Sequence, residues 1–193
     1  MGCGADTRRG WAVLPELGPD GMLPPGRYRA TGDELHARFV AGRGERRAQL
    51  WRDWMSATKV LGRLVPVNAV WLHGSFVSDA PAPEWVQCVY WAEDVEVNSA
   101  GVKPPVAKAL SAFAAPGKVH EALGVKVDTR LLHWHCQPDM RFRDEYYATY
   151  TMFRGEMDDQ VQRVASGLRG SEPAREDAFP RCGYVEVIIR DFT

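Results

Sequence analysis

Apolar residues recur along this chain with two periods, and the switches between them mark the elements. Leu35, Phe39 and Val40 are spaced for one face of a helix, and Thr31-Gly32-Asp33-Glu34 just before them has the form of a helix start. Beyond Gly42 and Gly44, the set Leu50, Trp51, Trp54, Met55, Thr58 and Leu61 keeps the helical period and predicts a longer helix over 45–64, closed by Pro66. Strands are expected over 67–72 and 85–91, with a loop carrying Asp79, Pro81 and Pro83 between them and the charged run Glu93-Asp94-Val95-Glu96 as the exit. Pro104-Pro105 opens a helix with Val106, Ala109, Leu110 and Phe113 on one face, and Pro116-Gly117 stops it. A third strand is expected over 125–132, a helix over 142–153 within a charged and aromatic stretch, a linker over 166–180 and a β-branched last strand over 184–189. Helices first, then strands with one inserted helix, predict the α+β class: a small sheet with helices packed on one face.

At 193 residues the chain has room for one domain with a real core. Residues 1–22 show no periodicity and read as an extended Gly- and Pro-rich arm, leaving a single domain over 23–193; Leu23-Pro24-Pro25-Gly26 forces polyproline or turn geometry at the junction. A formal net charge of −1 gives no overall attraction to nucleic acid or an anionic membrane, and no DNA specificity is evident. Arginine outnumbers lysine nineteen to five, which suits phosphate recognition but follows equally from a GC-rich genome. No apolar run approaches the ~18 residues of a spanning helix, and the N-terminus lacks a signal-peptide core. Met1-Gly2-Cys3 is a poor acylation site because Asp6 stands where Ser or Thr is wanted. Cys3, Cys88, Cys136 and Cys182 are far apart with no C-x-x-C, so reduced thiols in a cytoplasmic protein are expected.

The richest chemistry lies at Trp71-Leu72-His73-Gly74-Ser75-Phe76-Val77, an apolar strand running into a Gly-Ser turn, followed by a second apolar strand. Together with Leu23-Pro24-Pro25-Gly26, Glu34-Leu35-x-x-Arg38-Phe39 and Arg47-x-x-Leu50, in that order, this stretch resembles a bacterial and phage family of uncharacterised nucleotidyltransferase-like proteins. These are small single-domain relatives of the DNA polymerase β-like nucleotidyltransferase superfamily. Arg181-Cys182-Gly183-Tyr184-Val185-Glu186-Val187 resembles the family's closing strand, so the likeness spans most of residues 23–190. The resemblance implies a small mixed β-sheet in which Gly74 and Ser75 bind a nucleoside triphosphate; His73, just before them, either contacts a phosphate or simply ends the strand. The resemblance also implies two magnesium ions held by an Asp-x-Asp pair and a third carboxylate, for which Asp128 is the match. Such ions align the attacking hydroxyl and stabilise the leaving pyrophosphate.

Two of those carboxylates are missing. Without gaps, the Asp-x-Asp positions are Trp85, which cannot ligate magnesium, and Gln87, a neutral and poor oxygen donor for a hard dication. Losing one group that stabilises the transferring phosphoryl commonly costs about 10²–10³ in rate. A degenerate enzyme is therefore expected, one that binds a nucleotide, an RNA or a protein partner; the resemblance adds a toxin–antitoxin or phage-defence role. The alternative is an active magnesium-dependent enzyme moving NMP from an NTP to a protein or RNA acceptor. It would need Glu84, on the opposite strand face unless a bulge re-aims it, or Asp94, after the strand, to rebuild the metal site with Asp128.

A third reading is a zinc-stabilised interaction protein. His133 and His135 share strand parity, Cys136 follows, and Cys88, Cys182 or His73 would have to converge on them. Partly exposed histidines at a strand end are the simpler account. Trp51, Trp54, Trp71 and Trp134 read as core, while Trp85 and Trp91 share parity with Gln87 and either fill the cleft or form a platform for a base. Arg46, Arg47, Arg52 and Arg63 fall mostly on the polar side of the long helix, a solvated face by default.

Overall fold

The computed structural model describes residues 14–167, 172 and 174–189. Residues 1–13, with Cys3 and the acylation pattern, lie outside the described residues, as does part of the expected linker.

The order is β1 (Gly26–Arg29), α1 (Gly32–Phe39), α2 (Glu45–Gly62), β2 (Ala69–His73), β3 (Val86–Glu93), α3 (Asp94–Gly101), α4 (Pro104–Ala114), α5 (Lys118–Leu123), β4 (Val127–Trp134), α6 (Glu145–Val161) and β5 (Gly183–Ile188). The expected α+β class is what the structure shows. Its five-stranded mixed sheet runs β1-β5-β2-β3-β4. The β1/β5 and β3/β4 pairs are parallel, whereas β2 is antiparallel to both of its neighbours. Among the described residues no helix is long and apolar enough to cross a membrane.

The helix starts follow local chemistry. Thr31 caps α1 through a reciprocal box: its hydroxyl accepts from the Glu34 N–H, and the Glu34 carboxylate accepts from the Thr31 N–H at 2.7 Å. Prolines sit in the first turn of α4, where no backbone donor is lost.

Period-2 alternation splits the sheet into two faces. Val70, Leu72, Tyr90, Val127 and Val185 point toward α1–α5 and form the main core with Leu35, Leu50, Trp54 and Phe113. Trp71, Val89, Trp91 and Tyr184 point the other way. That second face is where the structure departs from helices on one side only, because α6 lies across it. This helix buries little apolar surface, Met157 and Val161, so its periodicity gave weak notice. It docks instead through Arg154, whose guanidinium sits 4.9, 5.2 and 5.0 Å from the ring centroids of Trp71, Trp91 and Trp134. Glu186, buried beside it on β5, accepts from Arg29 at 2.7 Å and from the Trp71 indole at 3.0 Å. Burial pushes the Glu186 carboxyl up, but those hydrogen bonds and the Arg27 and Arg29 charges outweigh it and hold it below its ordinary value.

Four elements differ from the expectation. The Pro-rich junction leads directly into β1, the supposed charged exit Asp94-Val95-Glu96 starts α3, α5 follows Gly117, and α6 runs on to Val161. The described part of the expected arm is docked: Leu14 and Leu17 pack against the core, and the Gly21 carbonyl accepts from the Asp79 N–H at 2.8 Å.

Candidate functional site

β2 ends at His73, and the chain turns at Gly74 into a short 3₁₀ segment, Gly74–Val77. Glycine is favoured here by its backbone: its φ of +72° lies in the left-handed region, and a Cβ would also displace the flexible Gln87 side chain, whose oxygen leans over the turn 2.2 Å from that position.

The loop beyond is held from below by arginines of α2 and its approach. Arg47 is 1 % exposed, and its guanidinium donates to the carbonyls of Phe76 (2.7 Å), Ser78 (2.8 Å), Ala80 (2.7 Å) and Phe39 (3.0 Å). Burial, with Arg43 nearby, lowers its pKa from the ordinary arginine value. Arg46 continues the clamp to the carbonyls of Pro83 and Glu84, and Arg43 pairs with Asp79 at 2.6 Å. Placing Arg47 on the polar side of the helix was wrong. It falls on the stripe Arg47, Leu50, Trp54, Ala57 and Leu61, a cation in a core position and itself the signal of a buried role.

Three adjacent strands then contribute one polar side chain each. His73 is the cross-strand partner of Gln87, and Gln87 is level with Asp128. Two adjoining cavities, about 550 and 190 Å³, share His73, Gln87, Gln160 and Val161 as a common wall. The larger is bounded by Ser75, Asp20 and Arg163, the smaller by Asp128 and Arg130. Desolvation lowers the His73 pKa to about 4 against the opposing pull of Asp128, with Arg130 adding to the depression, so the ring is neutral near pH 7. Asp128 accepts from the Gly117 N–H at 2.7 Å, a contact that ties β4 to the start of α5. Gln160 and Arg163 belong to the α6 side of the cleft, and nothing in the β2–β3 motif pointed to them.

The remaining sequence candidates lie elsewhere. Trp85 precedes β3 and packs edge-on against His120 of α5, with ring centroids 4.9 Å apart; it does not line the cleft. Trp91 is fully buried in the α6 layer and offers no platform to a base. Glu84 is exposed in the loop that Arg46 holds. Asp94 begins α3 beyond the far end of β3, where it bonds His135 at 2.6 Å. His135 also faces Asp144, the N-cap of α6, and the two carboxylates raise its pKa, Asp94 most. His133 and Cys136 are exposed, whereas Cys88 and Cys182 are buried. Among the described residues no three His, Cys, Asp or Glu side chains are grouped to hold a metal ion.

The donor set does not fit the two magnesium ions that the resemblance implies. Asp128 is the one carboxylate in the row, half of it is already engaged by Gly117, and its neighbour Gln87 is neutral. What the site offers is a glycine turn with an amide leaning over it, a neutral imidazole and a single carboxylate around a cleft. Those groups can accept and donate hydrogen bonds and shape a pocket.

The family of unknown function DUF6932 matches residues 15–165, well over half of the chain, and the protein belongs to that family. No curated protein and no solved structure matches the chain.

Proposed function

We propose that this protein is a nucleotide-binding module built on a nucleotidyltransferase-type scaffold that has lost metal-dependent transfer. The observation that carries the reading is the Gly74 turn facing a row in which Gln87 stands beside Asp128. With the flexible Gln87 side chain swung aside, the turn lets a phosphate-bearing ligand approach the backbone, and the amide removes the charge that would hold a dication. A cytoplasmic setting accords with the free thiols of Cys88, Cys136 and Cys182.

The test is calorimetric titration of purified protein with the four nucleoside triphosphates, with and without magnesium, beside an assay for transfer of labelled NMP to RNA or protein. Binding that ignores magnesium, with no transfer, is the expected result. Magnesium-dependent transfer abolished by Asp128→Ala would overturn the proposal in favour of an active enzyme. Absence of binding by any nucleotide would remove the nucleotide reading altogether.

A further inference from the structure

The row His73, Gln87 and Asp128 has a property that outlasts the loss of metal: its hydrogen-bonding capacity is largely unspent. Among the described residues the Gln87 amide has no protein partner, although it projects over Gly74 into the wall shared by both cavities. The His73 ring, level with it on β2, makes no hydrogen bond to the described residues either. One Asp128 oxygen holds Gly117, and the other stays available. Across the cleft, Gln160 donates its amide N–H to Glu156 at 2.9 Å, which leaves its carbonyl oxygen as an acceptor.

We infer that this row binds a nucleoside through neutral hydrogen bonds, with the base edge at Gln87 and Gln160 and the ribose hydroxyls at Asp128. The inference rests on the nucleotide reading above and deepens it, because it makes the nucleoside, and neither the triphosphate nor a metal complex, the recognised part.

The dimensions agree. Neighbouring strands lie about 4.8 Å apart, so three side chains in one row span roughly 10 Å, the reach of a base and its attached sugar. An amide presents an acceptor and a donor side by side and so matches the adjacent donor and acceptor on a base edge. A neutral imidazole supplies one of each, and His73 is neutral because desolvation holds its pKa at about 4. A carboxylate, which only accepts, suits a pair of hydroxyls. The charges of the cleft are balanced. Arg163 is paired with Asp159, and Arg130 is close to Asp128 on β4, so no cationic cluster singles out a polyphosphate.

The deciding experiment titrates adenosine, guanosine, cytidine and uridine, and their 5′-triphosphates with and without magnesium, into the full chain and into Gln87→Leu and Gln87→Glu. At least one nucleoside should bind within about fivefold of its triphosphate, without regard to magnesium. Gln87→Leu should weaken that nucleoside about tenfold while the melting temperature holds, the size of one lost hydrogen bond. Gln87→Glu, which keeps the shape but loses the donor, should weaken it too. If a triphosphate binds a hundredfold tighter than its nucleoside, or only with magnesium, recognition runs through phosphate; the inference is then wrong while nucleotide binding stands. If Gln87→Leu binds as well as the parent, the row is not the base site. If neither nucleosides nor triphosphates bind at millimolar concentration, the underlying reading fails with it.

Discussion

Replacing Arg47 of α2 by methionine should cost more stability than any single change within the loop it holds. The substitution keeps most of the buried stem and removes the guanidinium, with its four bonds of 2.7–3.0 Å to the carbonyls of Phe39, Phe76, Ser78 and Ala80. A hydrogen bond to a charged group is worth about 1.5–3 kcal/mol net, so four give roughly 6–12 kcal/mol. Against this stands the desolvation of a buried cation with no carboxylate bonded to it, about several kcal/mol. The carbonyls left behind are partly rehydrated, because Ser75 and Asp79 of the same loop are exposed. The net loss expected is about 3–5 kcal/mol, a large share of the roughly 5–15 kcal/mol that holds a domain together. Urea unfolding followed by tryptophan fluorescence reads it directly, with an unchanged denaturant slope showing that the unfolded state is the same. Arg46→Met is the control: its acceptors, the carbonyls of Pro83 and Glu84, lie nearer solvent, and the loss should stay below about 1 kcal/mol. Lysine at position 47 should recover less than half, since one ammonium cannot span four carbonyls. An Arg47→Met loss under about 1 kcal/mol would refute the claim that this side chain organises the loop.

Gly74→Ala should destabilise by about 1–3 kcal/mol, from the left-handed backbone and the collision with Gln87, and a double-mutant cycle with Gln87→Ala should recover part of it. Arg154→Ala removes a cation in contact with three tryptophans and should cost about 1–3 kcal/mol with a shift in tryptophan emission; unchanged emission would mean that α6 docks by other means. The His135 pKa is raised in the folded state, so its contribution is fully present below its unfolded value of about 6.5 and is lost as pH rises through the folded one. The melting-temperature gap between the parent and His135→Gln should therefore be widest in mild acid and close toward alkaline pH; a gap independent of pH would refute the ion-pair account. For His73 the sign is opposite. The folded ring resists protonation, so its NMR signals should stay in the neutral position at about pH 5.5, where an exposed histidine is mostly charged.

Elements with strong local signals were legible in the sequence. The Thr31 box, the Pro104-Pro105 start and the apolar strands all appear within a few residues of where they were expected. What escaped was tertiary in origin. β1 is only Gly26–Arg29, four residues with no buried apolar position to announce them, and exists because β5 lies beside it. α6 has two buried apolar positions and is held by Arg154 in a tryptophan setting that no window of sequence can display. Around the cleft, the resemblance singled out the Gly74 turn, Gln87 and Asp128, and strand register sets the last two level. Trp85 misled because ungapped counting put it on a strand that starts one residue later, at Val86. Gln160 and Arg163 were invisible because they enter from the end of α6 and the residues just after it, more than seventy residues downstream of the turn.

The position of β5 also sets the order in which the molecule can assemble. This strand fills the slot between β1 and β2, and its Glu186 meets Arg29 across 157 residues of sequence. On a ribosome, β2 and β3 can pair early, and β4 can join once its connecting helices have emerged. β1 must wait with an unpaired edge until Gly183–Ile188 is released. The landscape is thus weighted toward a slow final step with large loop-closure entropy. A nascent chain stalled before that strand would expose sheet edges on both β1 and β2, the kind of surface that chaperones recognise and that promotes aggregation.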